Sequence, residues 1–244
     1  MSKNKLLRLD RFLYLAGAGS RREVQKLITS GKVLVNSTKV YSCGFKINPL
    51  KDEVRIKGKK ITLITHSPVY KFYKPPGCVT SLKDREPTIL DFLHGKLPDL
   101  RRLFPVGRLD KDAEGLLILT SWGELAHRIL HPKWKLPKTY IVKLNSSLQE
   151  EHKISIEIGT ELHNFKTLPA KIEILNPDKT LVKITVHEGK YHLLKRLFGK
   201  FGYRVLGIKR IRIGPISLGD LKPGEVKPLT QNELKSLKRC LNLE

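Results

Sequence analysis

The spacing of apolar residues predicts a short helical region followed by a longer region of strands. In the first region, apolar residues recur every three or four positions, at Leu9, Phe12, Leu13 and Ala16. This spacing predicts a helix. Ser20 and Glu23 then have the spacing of a capping box, which predicts a second helix that ends near Gly31. Alternation over residues 33–41, with a turn at 36–37, predicts a hairpin.

From Tyr70 onward the pattern changes to short alternating segments separated by turn residues. Strands are predicted at residues 69–73, 116–120, 140–144, 170–175 and 181–187. Helices are predicted at residues 125–131, at 194–201 and after Thr230, which has Glu233 three positions later. Short strands and turns with a few helices indicate the α+β class.

The charge of the chain indicates its partner. The 244 residues include 47 Lys and Arg against 23 Asp and Glu, a net charge of +24. An excess of this size points to a polyanion, with nucleic acid the first expectation and an anionic membrane the second. Residues 1–62 hold 15 Lys and Arg against 4 Asp and Glu, a much higher density of positive charge than the rest of the chain has. We therefore expect one domain at residues 1–62 and a second at 63–244.

Other sequence features argue against a membrane, a disulfide framework and a metal. Apolar runs are far shorter than the roughly 20 residues of a spanning helix, and the first eight residues lack the apolar segment of a signal peptide. The three cysteines, Cys43, Cys78 and Cys240, form no C-x-x-C pair. His127 and His131 have the spacing of a two-ligand metal site but lack further ligands. We expect a cytoplasmic protein with no membrane partner and no metal.

Arg21 and Arg22 are candidate phosphate contacts, because they lie in the first turn of the second predicted helix, where unpaired N–H groups attract anions. Four more basic residues accompany them: Arg8, Arg11, Lys26 and Lys32. A solvated basic face is the alternative. The segment from Arg8 to Asn36, with R-L-D-R-F-L, S-R-R-E and I-x-x-G-x-V-x-V-N in order, resembles the S-four RNA-binding module. The resemblance implies a small α/β domain that docks on structured RNA through its two-helix face.

The loop at residues 107–115 is the first segment of the larger domain with candidate chemistry. Asp110 lies there just before a predicted buried strand, a position suited to nucleophilic or acid/base work. Asp110 and Asp112 are also spaced to bind a metal, but Arg108 and Lys111 add positive charge and no further acidic cluster supplies ligands. Ordinary turn residues are the alternative interpretation.

Two later segments carry basic and aromatic groups. Lys138 and Tyr140 begin a predicted strand, where the tyrosine ring offers a stacking face for a base and its hydroxyl can move a proton. Lys195 and Arg196 lie on the side of a predicted helix away from its apolar residues. A half-buried strand tyrosine and a solvated basic helix face are the alternatives. No glycine motif for nucleotides or dinucleotides occurs, so we expect no cofactor.

Together these segments resemble the pseudouridine synthases that act on ribosomal RNA. In chain order, the matching motifs are K-P-P-G at 74–77, G-R-L-D-x-D-x-x-G-L-L-I-L-T from residue 107, L-A-H-R-I-x-H-P from 125, K-T-Y-x-V from 138 and E-G-K-Y-H-x-x-K-R from 188. The resemblance implies isomerisation of uridine without a cofactor. It also implies a catalytic domain with an extended mixed, mainly antiparallel sheet, flanking helices and a central cleft, acting as a monomer.

The resemblance implies roles for particular residues. Asp110 would be the essential carboxylate, which attacks the sugar or the base or accepts a sugar proton. Lys195 would pair with Asp110 and keep it ionised, and Tyr140 would stack on the target base and assist proton removal from carbon 5. Arg108 would fill the gap that the flipped base leaves in its helix. The other cations of this domain that we expect to contact RNA are Lys74 and Arg196.

The last motif, G-K-Y-H-x-x-K-R, is closest to the branch of the family that modifies small-subunit RNA. We therefore expect 16S ribosomal RNA as the partner, free or in an assembling subunit, with 23S ribosomal RNA as the alternative. A further alternative is a non-catalytic RNA-binding factor of ribosome assembly. For that role the net charge and the first domain would be sufficient.

Overall fold

The computed structural model describes residues 6–62, 68–81, 84–97 and 100–243. The chain divides into two compact units. The smaller unit holds the described residues up to Pro68 together with Ser121–Gly123, and the larger holds those of 69–120 and 124–243. The predicted domain boundary after residue 62 adjoins residues 63–67, which lie outside the described residues.

The smaller unit packs two helices against short strands. Its elements are α1 (Leu9–Leu15), α2 (Arg21–Thr29), β1 (Leu7–Arg8), β2 (Val33–Val35), β3 (Thr38–Lys39), β4 (Lys46–Ile47), β5 (Val54–Ile56) and β6 (Lys59–Ile61). Strands β3, β2, β5 and β6 form an antiparallel sheet in that order, and β1 pairs with β4. The predicted capping box starts α2, since the Ser20 hydroxyl accepts from the Glu23 N–H and the Glu23 carboxylate accepts from the Ser20 N–H. The predicted hairpin is present, although its second strand ends at Lys39.

The larger unit contains a long sheet with helices around it. Its strands are β7 (Val69–Lys74), β8 (Phe104–Val106), β9 (Glu114–Thr120), β10 (Lys138–Leu144), β11 (Glu161–Leu162), β12 (Phe165–Lys166), β13 (Lys171–Ile174), β14 (Leu181–Val186), β15 (Val205–Ile213), β16 (Ile216–Ser217) and β17 (Val226–Pro228). Its helices are α3 (Ile89–Leu93), α4 (Gly123–Leu130), α5 (Glu150–Ile158), α6 (Leu193–Gly199) and α7 (Gln231–Cys240), with 3-10 turns at Leu100–Arg102 and Pro132–Trp134.

The main sheet runs in the order β13-β14-β10-β15-β9-β7-β17, with β8 beside β9 and β16 beside β15. Strands β9 and β15 pair in parallel, while the other pairs of the described sheet are antiparallel. Leu116, Leu117, Ile118 and Leu119 on β9 are all buried, because both faces of this central strand are covered. The prediction of an α+β fold with a mixed, mainly antiparallel sheet is confirmed.

The parallel pair brings two distant segments to the same end of the sheet. The Asp110 loop leads into β9 and helix α6 leads into β15, so both segments precede neighbouring strands that run in the same direction. Gly115 permits this pairing: its φ is +107°, and a Cβ there would lie 2.3 Å from the carbonyl oxygen of Arg210. Only glycine fits a backbone approach this close.

Candidate active site

Hydrogen bonds from the Thr80 hydroxyl and the Gly77 N–H hold the backbone of the Asp110 loop. The Thr80 hydroxyl donates to the carbonyl of Leu109 at 2.8 Å and accepts from the Leu109 N–H at 3.1 Å. The Gly77 N–H donates to the carbonyl of Lys111 at 2.8 Å. These contacts fix the backbone on both sides of Asp110, whose carboxylate is partly exposed. A carboxylate on a loop held in this way has a defined direction.

Lys74, at the end of β7, also holds the Asp110 loop, through hydrogen bonds to its backbone. Its ammonium donates to the carbonyls of Pro75 (3.0 Å), Lys111 (3.3 Å) and Ala113 (2.8 Å). The side chain is fully buried, and this desolvation lowers the pKa of Lys74. The prediction that Lys74 contacts RNA is therefore wrong, because its ammonium is enclosed by the loop and does not reach the surface.

Helix α6 brings Lys195 to the acidic loop. The Lys195 ammonium donates to both carboxylate oxygens of Asp112, at 2.8 and 2.7 Å, and lies 3.9 Å from Oδ2 of Asp110. The hydrogen bond from Lys195 lowers the pKa of Asp112. The expected approach of Lys195 to Asp110 is thus present at the longer distance, while the short bonds go to Asp112, for which the sequence indicated no catalytic role.

His192 is a neighbour of Asp110 that sequence reasoning missed. Its Nε2 lies 3.5 Å from Oδ1 of Asp110, whereas Lys195 faces the other carboxylate oxygen, Oδ2. His192 precedes α6 with φ of +50°, a left-handed backbone that non-glycine residues seldom adopt. The sequence could have indicated His192, because it lies three residues before Lys195 in the motif that begins at residue 188.

Asp110, Tyr140, His192 and Lys195 line one cavity of about 120 Å³. Tyr140 lies on β10 and is largely buried, at 9% exposure. Apolar side chains form part of the wall, among them Val106, Leu109, Ile129, Leu193, Leu194 and Ile208. The volume suits one small flat ring, since pockets for drug-sized ligands are typically about 300–1,000 Å³. The sequence-predicted trio of Asp110, Tyr140 and Lys195 therefore meets at a single small cavity.

Two buried cations, Lys138 and Arg210, also line this cavity. Burial, together with the nearby charge of Arg210, lowers the pKa of Lys138 to about 8. Arg210 lies on β15 directly opposite Tyr140 on β10. The sequence already paired Lys138 with Tyr140 at the start of a predicted strand, and residues two apart on a strand share a face. The position of Arg210 opposite Tyr140 required the strand pairing.

Comparison with known proteins shows the family of the chain. Residues 69–200 match the family described as RNA pseudouridylate synthase, and residues 7–54 match the S4 domain. A protein of Aquifex aeolicus (strain VF5) described as "Uncharacterized RNA pseudouridine synthase" is 41% identical over 98% of this chain and 96% of its own length. The chain belongs to the RNA pseudouridine synthase family. The predictions of an RNA-modifying isomerase and of an S-four domain are thereby confirmed.

Two further relatives cover this synthase almost completely. The "Ribosomal large subunit pseudouridine synthase B" of Bacillus subtilis (strain 168) is 35% identical over 95% of each chain. A solved structure titled "Crystal structure of pseudouridylate synthase" superimposes with a TM-score of 0.69 at 36% identity, over 95% of this chain and 99% of that one. Both units of the synthase are therefore shared with known members of the family.

The remaining predicted RNA contacts of the synthase lie in two places. In the S4 domain, most of these cations are exposed: Arg11, Arg21, Arg22, Lys26 and Lys32. Arg8 is exposed as well, but its guanidinium donates to both carboxylate oxygens of Asp10, at 3.1 and 2.8 Å. In the catalytic domain, Arg108 is exposed at the cavity. The guanidinium carbon of Arg196 lies 5.1 Å from the centre of the Phe165 ring. Contact of these residues with RNA stays a prediction.

Within the described ranges of the synthase, no three His, Cys, Asp or Glu side chains are grouped to hold a metal ion. His127 and His131 face each other, with ring centroids 5.1 Å apart. No helix in the described part of the chain has the length and apolar character needed to cross a bilayer.

Proposed function

We propose that this synthase converts one specific uridine of ribosomal RNA to pseudouridine, with 16S RNA as the first target to examine. The observation that carries the proposal is the convergence of Asp110, Tyr140 and Lys195 on one cavity of about 120 Å³. The choice of 16S RNA rests on the resemblance of the segment Gly189 to Arg196 to the small-subunit branch. We further propose that the protein acts as a cytoplasmic monomer.

In this proposal Asp110 is the essential carboxylate. Isomerisation breaks the bond from carbon 1′ to nitrogen 1 and forms one to carbon 5, with no net redox change, so a carboxylate, a proton acceptor and correct positioning are sufficient. Tyr140 packs on the target base and assists loss of the carbon-5 proton. Lys195 keeps positive charge beside Asp110 and, by its hydrogen bonds, lowers the pKa of the neighbouring Asp112.

Residues 1–62 supply docking on the RNA, and residues 63–244 supply the chemistry. The target uridine must leave its helix, which costs a few kcal/mol of unstacking. Phosphate contacts from the exposed cations of the S4 domain offset this cost. Arg108, exposed at the rim of the cavity, fills the space that the flipped base leaves.

Large-subunit RNA is the second candidate target. The relative from Bacillus subtilis is named for the large ribosomal subunit and matches 95% of this chain. One experiment separates the two candidates: carbodiimide mapping of pseudouridine in both ribosomal RNAs from cells with and without the gene. Loss of one site in 16S RNA supports the first proposal, and loss in 23S RNA supports the second. Identical patterns in both strains would favour a non-catalytic role in ribosome assembly.

The role of Asp110 is tested by Asp110→Asn, which keeps the shape of the side chain and removes its charge. We expect tritium release from carbon-5-labelled uridine in RNA to fall by at least about 10³-fold, with RNA affinity within a few-fold of wild type. Asp220→Asn, at an exposed position outside the cavity, is the matched control and should release tritium at the normal rate. Normal release by Asp110→Asn would remove Asp110 from the mechanism.

A further inference from the structure

Arg210 and Lys138 are buried cations for which the described residues supply no carboxylate partner. Arg210 is 4% exposed and Lys138 is 9% exposed. Neither forms an ion pair with a described side chain, and the Nη2 group of Arg210 is buried without any hydrogen-bond acceptor among the described atoms. Buried charged donors are costly unless they are satisfied, so an unused guanidinium N–H beside a cavity indicates a ligand with acceptor atoms.

The positions of these two cations are fixed by the sheet. Arg210 stands directly opposite Tyr140 across the β10–β15 ladder, and Lys138 lies two residues before Tyr140 on the same face. The Arg210 Nε donates to the carbonyl of Leu116 at 2.7 Å, which holds the guanidinium in place. The Lys138 ammonium donates to the carbonyl of Leu136 at 3.0 Å and keeps two further protons. Both groups are thus set beside Tyr140 before any ligand enters.

We propose that Nη2 of Arg210 and the ammonium of Lys138 donate to the carbonyl oxygens of the flipped pyrimidine and stabilise the negative charge that the base gains during the reaction. The proposal rests on the isomerisation proposed above and adds two groups that contact the base. Two cations beside Tyr140 also bear on specificity, because uracil presents two acceptor oxygens where cytosine presents one oxygen and an amino donor.

The chemistry explains why positive charge would be useful at this point. When the bond between nitrogen 1 and carbon 1′ breaks, its electron pair stays with the base and spreads onto the two carbonyl oxygens. If Asp110 instead attacks carbon 6, the displaced electron pair also goes into the ring and onto carbonyl oxygen. The charge disappears again when carbon 5 bonds to carbon 1′, carbon 5 releases its proton and nitrogen 1 gains one. Fixed donors aimed at such transient charge are an effective form of catalysis.

A flat heteroaromatic ring fits this cavity better than a phosphate group. The cavity is small, about 120 Å³, and apolar side chains, including Leu109, Leu193 and Ile208, form about half of its wall. Apolar walls on either side of a ring are favourable, whereas a phosphate needs hydrogen-bond donors on every side.

The test combines two variants with altered substrates. Arg210→Gln and Lys138→Met are each assayed by single-turnover conversion of an RNA with uridine, 2-thiouridine or 4-thiouridine at the mapped target, read by nucleoside chromatography. Sulfur accepts hydrogen bonds poorly. If a side chain donates to one carbonyl oxygen of the base, replacing that oxygen by sulfur should slow the wild-type enzyme. The same replacement should have little effect on the variant that lacks the donor. Arg212→Gln and Lys143→Met, exposed residues of the same two strands, are the matched controls.

We expect each variant to convert the uridine substrate about 10²–10³-fold more slowly than wild type, as for loss of an oxyanion donor. RNA affinity should stay within a few-fold. Wild type should be slowed at least about tenfold by one of the thio-substitutions, and the variant lacking the matching donor should be slowed less than about twofold by it. If Arg210→Gln fails to fold, the Lys138→Met series and the wild-type thio-series still decide the proposal.

Two outcomes would overturn the inference. Equal thio-effects in wild type and variants would show that neither cation contacts the base oxygens. Wild-type rates in either variant would show that its positive charge is not used. These outcomes differ from failure of the proposed function, in which wild type itself would convert no uridine in either ribosomal RNA.

Discussion

Lys195 lies between two carboxylates and is shared unequally, with both oxygens of Asp112 at 2.7–2.8 Å and the nearer oxygen of Asp110 at 3.9 Å. Asp112 is mainly exposed, whereas Asp110 is less than one-third exposed and lines the cavity. Asp112 therefore acts as a lateral tether, which holds the Lys195 ammonium where its positive charge faces Asp110.

This arrangement predicts different effects for the two partners of the ion pair. Lys195→Met should slow single-turnover tritium release by at least about 100-fold, because two like charges are then left together near the cavity. Asp112→Asn should slow it only about two- to fivefold, since the Asp112 contact is exposed and exposed pairs are weak. Lys195→Arg should recover part of the rate. Equal losses in Lys195→Met and Asp112→Asn would mean that the tether itself is essential.

A second prediction concerns the stability cost of Lys138. Its pKa is lowered from 10.5 to about 8, so the folded state binds fewer protons than the unfolded state between these pH values. Stability should therefore rise with pH across that window. At pH 7 the charged form is disfavoured on folding by about 3 kcal/mol, reduced to about 2 kcal/mol when the hydrogen bond to Leu136 is counted.

Lys138→Met should accordingly raise the free energy of unfolding at pH 7 by about 2 kcal/mol while lowering activity. Urea titrations at pH 7 and pH 10 measure the effect, and the advantage of the variant should shrink at the higher pH. Lys143→Met on the same strand, an exposed position, should change stability by less than about 0.5 kcal/mol. Destabilisation by Lys138→Met would indicate that the lysine serves the fold.

A third prediction follows from the close approach of β9 to β15. Gly115→Ala should destabilise the larger unit by at least about 3 kcal/mol, because the new Cβ meets the Arg210 carbonyl and the backbone has a positive φ. Gly219→Ala is the control, since Gly219 also has a positive φ, +59°, but has no atom within 4 Å of the added Cβ. It should cost about 1–2 kcal/mol by thermal unfolding. Equal costs would exclude the backbone clash as the cause.

A fourth prediction concerns the S4 domain. Charge reversal of Arg21 and Arg22 to Glu should weaken RNA binding and reduce the slope of log affinity against log salt by about one for each phosphate that the domain no longer neutralises. Filter binding at four salt concentrations measures the slope. Lys171→Glu with Lys235→Glu changes the net charge equally at exposed positions of the other unit and should leave most of the slope in place. An unchanged slope in the Arg21 and Arg22 variant would exclude phosphate binding there.

The sequence by itself determined the features that depend on neighbouring residues. Ser20 with Glu23 and Thr230 with Glu233 form the capping boxes that their spacing predicts, because a cap joins side chain and backbone within one turn. The α+β class and the trio of Asp110, Tyr140 and Lys195 also followed from the sequence, the trio through its resemblance to a known family. Each of these rests on short segments whose order along the chain is sufficient.

Only the tertiary structure decided which distant groups meet. Lys74 is basic and sits in a matching motif, yet it is buried under the Asp110 loop because β7 ends there and three carbonyls face its ammonium. Arg210 lies opposite Tyr140 because of the register between β10 and β15. Lys195 donates to Asp112 because α6 packs beside the Asp110 loop. Charge and burial at these positions depend on strand pairing between residues far apart in the chain, which local sequence patterns do not specify.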